Sequence, residues 1–138
     1  MQRRWKGYLV VVMVALSASS VCMAKADRDE DGSVPPDRFK MMIDRHRGNP
    51  NVVLLDIRTP GEYESGHIDG AVLLDYYAHD FADRIKALDR DKTYLIYCRS
   101  GNRSGRSLTL FQKLGFTRAV HLQTGIKGWL AHGYTVVH

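Results

Sequence analysis

A parallel α/β sheet with helices packed on both faces is the fold class that this sequence predicts, and three observations predict it. Short apolar or β-branched runs alternate along the chain with segments whose apolar residues recur at helical spacing, as strand–helix–strand units require. Val52-Val53-Leu54-Leu55 is apolar without a break, as a strand covered on both faces has to be. The 138 residues suit one domain, with an ordinary 44% hydrophobic fraction and no internal repeat.

Residues 1–24 read as a secretory signal. Arg3, Arg4 and Lys6 form a positive n-region, Tyr8 to Leu16 an apolar h-region, and Cys22-Met23-Ala24 a small-x-small cleavage site. The expected location is the bacterial periplasm, with no stable membrane insertion after cleavage. An uncleaved inner-membrane anchor is the alternative, since Tyr8 to Ala24 approaches spanning length; the serine and cysteine residues of its second half argue against it. Val21 suits a lipidated Cys22 poorly, and Arg3-Arg4 lacks the rest of a twin-arginine motif. Residues 25–33 are charged and expected to form a linker ahead of a domain spanning residues 34–138. Asp27 to Gly32 opens like an EF-hand loop, but Arg38 stands where the bidentate Glu is needed, so calcium is not expected.

Pro35 or Pro36 opens a helix that runs to about His46, with Phe39, Met42 and Ile43 on its apolar face; Gly48-Asn49-Pro50 stops it. After the strand at Val52–Leu55, Thr59 serves as N-cap, Pro60 as N1 and Glu62 as capping-box partner of a short helix that closes at Gly66. Ala71–Leu74 reads as a strand. Asp80–Leu88 follows as a helix with Phe81, Ile85 and Leu88 on one face. Thr93–Tyr97 is a buried strand, and Ser107–Leu114 a helix ending at Gly115. Ala119–Leu122 is the next strand, Gly125–Ala131 a short helix with Trp129 in the core, and Val136-Val137 closes the chain.

Chemistry concentrates in Cys98-Arg99-Ser100-Gly101-Asn102-Arg103-Ser104-Gly105-Arg106, where the strand gives way to the helix. Gly101 frees the loop and Ser104 leads it into the helix. The N–H groups of residues 99–104 can therefore curl around the sulfur at the positive end of a helix dipole. Arg99, Arg103 and Arg106 add positive charge. Such surroundings favour thiolate over thiol, and the thiolate is the nucleophile. A buried packing cysteine is the plain alternative, but packing has no use for such a nest.

With the signal removed, Cys98 is the only cysteine left, so neither an intramolecular disulfide nor a dithiol mechanism is open to it. The six histidines show no metal-ligand spacing; no metal and no cofactor are expected. Asp56, Arg58 and Glu62 read as a charge network beneath the loop. Net charge is +5, but Arg3, Arg4 and Lys6 supply three of those charges and the rest are mixed with acids. A nucleic-acid footprint needs a basic stripe, so no nucleic-acid partner is expected.

Cys98 to Ser104 resembles the active-site loop of the rhodanese-like sulfurtransferases. Asp56-Ile57-Arg58-Thr59-Pro60-Gly61-Glu62-Tyr63-Glu64-Ser65-Gly66-His67-Ile68-Asp69-Gly70-Ala71 resembles that family's second signature. Gly125-Ile126-Lys127-Gly128-Trp129 with Gly133-Tyr134 resembles its C-terminal end. Thr124 departs from the pattern, standing where the family commonly has glycine, which touches the shape of that loop. The resemblance implies transfer of sulfane sulfur from thiosulfate or a similar donor to cyanide or a thiol through a persulfide on Cys98. It implies substrate contacts from Arg99, Ser100, Gly101, Asn102, Arg103 and Ser104, and structural support from Asp56, Arg58, Glu62 and His67. Whether Arg106 faces the site or solvent stays open.

A non-enzymatic sulfur carrier or partner-docking module is the alternative function. Rhodanese-like phosphatases place five residues between their Cys and Arg, whereas four separate Cys98 from Arg103. The smaller cradle suits one sulfur atom better than a phosphate.

Overall fold

A computed structural model describes residues 31–138 of the chain. The expected signal at 1–24 and the linker up to residue 30 lie outside the described residues. In chain order come β1 (Ser33–Val34), α1 (Pro36–Arg45), β2 (Val52–Asp56), α2 (Pro60–Glu64) and β3 (Val72–Leu73). They are followed by α3 (Phe81–Lys86), β4 (Thr93–Tyr97), α4 (Asn102–Lys113), β5 (Ala119–Leu122) and α5 (Gly125–Ala131). The five strands form one sheet in the order β1-β5-β4-β2-β3, and every pairing is parallel. β4 is central. Its register against β2 runs from Val52 opposite Thr93 to Asp56 opposite Tyr97.

Side chains along a strand alternate between faces, and the two faces bury separate cores. Leu54, Leu95, Tyr97 and Leu122 pack with Phe39 of α1 and with Ile126 and Trp129 of α5. Leu55, Tyr94, Ile96 and Cys98 pack on the other side with Phe81 and Ile85 of α3 and Phe111 of α4. This places helices on both faces, as the alternating pattern predicts. Each fully buried large apolar side chain, such as Phe39, Ile85 or Phe111, stabilises the fold by roughly 1.5–3 kcal/mol. Tyr94, Phe111 and Phe116 add a triangle of rings with centroids 4.9–5.5 Å apart.

The structure departs from the expected elements in four places. Ser33, read as the end of a linker, pairs with His121 in β1; a two-residue strand has no periodicity to reveal it. β3 is two residues shorter than Ala71–Leu74. α3 stops at Lys86 because the Leu88 N–H turns back to Ile85 O at 3.0 Å, an i→i+3 bond that ends the helix. α4 begins at Asn102, five residues ahead of Ser107. Gly101 adopts φ 95°, and its carbonyl accepts the Gly105 N–H at 2.9 Å, so the loop passes directly into helix. At the chain's end, Val137 and His67 exchange N–H···O bonds of 2.8 and 2.9 Å, fastening the C-terminus to the connection after α2.

Candidate active site

The chain order reverses between β2 and β4: β3 lies outside β2 on one side, whereas β5 and β1 follow β4 on the other. Ligands of open parallel sheets bind outside the carboxyl ends of the strands at such a point. Cys98 follows β4 there, Asp56 ends β2 and Arg58 comes just after it.

The loop 98–101 is shaped from behind. A Cβ on Gly101 would lie 1.9 Å from Gln123 O, and a Cβ on Gly125, at φ 61°, would lie 2.4 Å from Arg99 O. Only glycine lets these two backbones approach so closely. The N–H groups of Ile126 and Lys127 at the start of α5 then donate to the carbonyls of Cys98 and Arg99, at 2.9 and 3.1 Å. With those carbonyls held away, the loop's N–H groups face the sulfur. Gly101 N–H donates to Cys98 Sγ at 3.1 Å and Ser104 N–H at 3.5 Å, and Ser104 Oγ lies 3.4 Å away.

Cys98 is 1% exposed. Burial, the largest single influence, pushes its thiol pKa up. The Ser104 hydroxyl and the N–H groups of Ser104, Ser100 and Gly101 outweigh it and hold the thiol below its ordinary value. The side chain points into the donor cup.

Arg103 does not offer a free charge. Its Nη1 and Nη2 donate to Glu62 Oε2 and Oε1 at 2.9 and 2.8 Å, and the guanidinium lies 5.6 Å from the Tyr77 ring centroid. Bidentate pairing with Arg103 is the first cause that holds the Glu62 carboxyl at about 2, and the Thr59 N–H contributes at 3.0 Å. The expected capping box is present, since Glu62 N–H donates to Thr59 Oγ1 at 3.3 Å. One carboxylate thus caps α2 and clamps the first turn of α4.

Asp56 and Arg58 form a separate pair, which corrects the single network expected from the sequence. Arg58 Nε reaches both Asp56 oxygens at 3.0 Å and Nη2 reaches Oδ2 at 2.6 Å, with side-chain exposures of 5% and 0%. Arg58 Nη2 also donates to Gly66 O at 2.8 Å, tying β2 to the end of α2. Neither side chain is hydrogen-bonded to the Cys98 loop among the described residues. His67 stacks on Tyr63 with centroids 3.7 Å apart, and its Nδ1 is 3.1 Å from Tyr63 O.

Arg99, Ser100, Asn102 and Arg103 line a polar cavity of about 420 Å³, together with Glu62, Tyr77 and Arg106. Arg106 therefore borders the site, and both Arg99 and Arg106 are exposed. No group of His, Cys, Asp and Glu among the described residues is arranged to hold a metal ion. Thr124 fits its place: its φ of −103° suits any residue, and its Oγ1 fills space that a Cβ on Gly128 would enter.

Two residues escaped the sequence reading. Tyr77 overlies Arg103 from a loop with no periodic signal. His121 is buried within reach of Ser104; a polar residue inside the apolar run Ala119–Leu122 was its only mark.

Fold and site together define an α/β domain that presents a cysteine, ringed by backbone N–H donors, at the carboxyl end of its central strand. The model for the Rhodanese-like domain matches residues 36–132, and the chain belongs to that family. It is 34% identical over 104 residues to the probable adenylyltransferase/sulfurtransferase MoeZ of Mycobacterium tuberculosis, which covers 75% of this chain but 26% of that protein. The chain therefore spans about a quarter of that relative. The thiosulfate sulfurtransferase GlpE of Pseudomonas syringae is 32% identical over 96 residues, covering 70% of this chain and 84% of that protein. A crystal structure of a rhodanese-related protein from Thermoplasma volcanium superposes with a TM-score of 0.65 at 28% identity, covering 76% of this chain and 96% of that one.

Proposed function

We propose that the protein is an exported sulfurtransferase that takes sulfane sulfur from thiosulfate, or a donor like it, onto Cys98 and passes it to a thiophilic acceptor. The observation that carries this reading is the direct aim of the Gly101 and Ser104 N–H groups at Cys98 Sγ. Thiosulfate as donor rests on likeness to a relative named for it and on charge. Arg99 and Arg106 border the cavity without an ion-pair partner among the described residues, so the mouth attracts a small dianion. Residues 1–24 support export to the periplasm.

The steps balance without a redox partner. The Cys98 thiolate attacks the outer sulfur of thiosulfate, the S–S bond of the donor breaks, and sulfite leaves with the electron pair. A persulfide anion remains on Cys98. Donors that stabilise the thiolate also stabilise that anion. Cyanide, or a thiolate in the cell, attacks the terminal sulfur; thiocyanate or a new persulfide leaves and the Cys98 thiolate returns. Two half-reactions give ping-pong kinetics.

The test uses protein recovered from the periplasmic fraction. Incubation with thiosulfate adds the mass of one sulfur atom at Cys98, cyanide then yields thiocyanate, and Cys98→Ser shows neither. Near wild-type thiocyanate production by Cys98→Ser, or no mass gain in the native protein, defeats the assignment. A mass gain with no onward transfer makes the domain a sulfur carrier, and retention in the cytoplasm removes the export.

A further inference from the structure

His121 is 6% exposed in the middle of β5. Its Nδ1 lies 3.0 Å from Ser104 Oγ, which lies 3.4 Å from Cys98 Sγ. Its Nε2 lies 2.8 Å from Ser33 Oγ on β1. The ring packs against Gly105 of α4, where an added Cβ would stand 3.4 Å from Cε1. A chain of hydrogen-bonding groups therefore runs from the sheet edge to the sulfur.

We propose that His121 is a positioning residue for the sulfur chemistry, its Nδ1–H directing the single proton of the Ser104 hydroxyl onto the Cys98 sulfur. This rests on Cys98 acting as a thiolate, the reading given above. Ser104 Oγ has one proton and three acceptors within reach: Cys98 Sγ, His121 Nδ1, and Gly101 O at 3.2 Å. A bare Nδ1 is the strongest competitor and draws the proton away from sulfur. An Nδ1 that carries hydrogen instead donates into a lone pair of the same oxygen, which removes that competitor. Gly101 O, 3.2 Å from the hydroxyl, already accepts the Gly105 N–H at 2.9 Å and is neutral, so it competes for the proton less strongly than a charged sulfur.

Ser33 selects this tautomer when its hydroxyl donates to Nε2. Burial pushes the His121 pKa down, which favours the neutral imidazole, in which only one ring nitrogen carries hydrogen. Every donor in the chain then points toward the thiolate, and each bond polarises the next. The charged groups acting on it are Asp31 ahead of β1, which acts on the imidazole, and Arg103 on α4, which acts on the thiolate. A merely structural histidine would fill the same space whichever nitrogen bore the proton.

The test reads the pH midpoint of thiolate ultraviolet absorbance in the full chain, with the Cys98→Ser trace subtracted. His121→Asn puts an amide N–H near the place of Nδ1, whereas His121→Gln puts its amide near that of Nε2. The Gln variant takes away the N–H that holds Ser104 Oγ, freeing the hydroxyl to turn to Gly101 O at 3.2 Å. The midpoint rises by about one pH unit, the shift for losing one hydrogen bond to a charged acceptor, and the Asn variant stays with the wild type. An unchanged midpoint in His121→Gln, or equal rises in both, overturns the proposal. Ser33→Ala, on a part-exposed edge strand, keeps the test open should the Gln variant misfold; it raises the midpoint by less, and no rise counts against the tautomer. No sulfur donor enters this measurement. A His121-dependent midpoint in a protein that gains no sulfur from thiosulfate would overturn the proposed function and leave this inference standing.

Discussion

Replacing Glu62 with Gln isolates the charge in the clamp between α2 and α4. Gln still fills the capping-box position beside Thr59, but it gives Arg103 no anionic partner. Folding holds the Glu62 carboxyl at about 2 against an ordinary 4.5, chiefly through Arg103. Undiminished, that displacement corresponds to roughly 3 kcal/mol. The two side chains keep 15% and 27% of their exposure, so solvent screening reduces it to about 1–2 kcal/mol. The sign follows from the direction: a carboxyl held low in the folded state stabilises the fold fully above pH 4.5, and the contribution drains away as pH falls toward 2. Urea unfolding followed by far-ultraviolet circular dichroism therefore separates wild type from Glu62→Gln at neutral pH, by roughly 0.5–1 M in midpoint for a domain of this size. Near pH 3 (about halfway through that window) the gap narrows to less than half. An equal gap at both pH values would mean that the Gln substitution acts through packing, and the ion-pair account would be wrong.

Two further outcomes follow from the same geometry. Asp56→Ala leaves the Arg58 guanidinium buried without its carboxylate, at a cost of about 3–5 kcal/mol, measured as a lowered urea midpoint; a loss below about 1 kcal/mol would show that the pair behaves like a surface one. Gly101→Ala forces a side chain into a left-handed conformation and against Gln123 O. The loop has to move, and the Gly101 N–H leaves the sulfur. Loss of one bond to a charged acceptor lowers thiocyanate formation by about tenfold or more, with the far-ultraviolet spectrum retained; wild-type turnover would show that this N–H does not matter.

Much of the fold was legible because its signals are local. Val52 to Leu55 is apolar throughout since both faces of β2 are covered. Thr59, Pro60 and Glu62 specify a helix start through bonds confined to four residues. Cys98 and its loop were legible for the same reason, since the N–H donors to sulfur lie within six residues of it. β1 was not legible. Two residues carry no period, and what makes them a strand is His121 and Leu122, far along the chain. Arg103 was read as a free charge because nothing near it in sequence neutralises it; its partner is Glu62, 41 residues earlier.

By itself, then, the order of residues determined the α/β class, the run of strands and helices, the capped start of α2 and the placement of a cysteine between strand and helix. Tertiary structure alone decided what braces that cysteine's loop from outside: the backs of two loops pressed together at Gly101 and Gly125, Glu62 on Arg103, and His121 beneath Ser104. The physical reason is range. Periodicity and capping act between residues a turn or a pleat apart, whereas the charge state of a buried sulfur depends on every dipole within a few ångströms, whichever strand or helix brings it there.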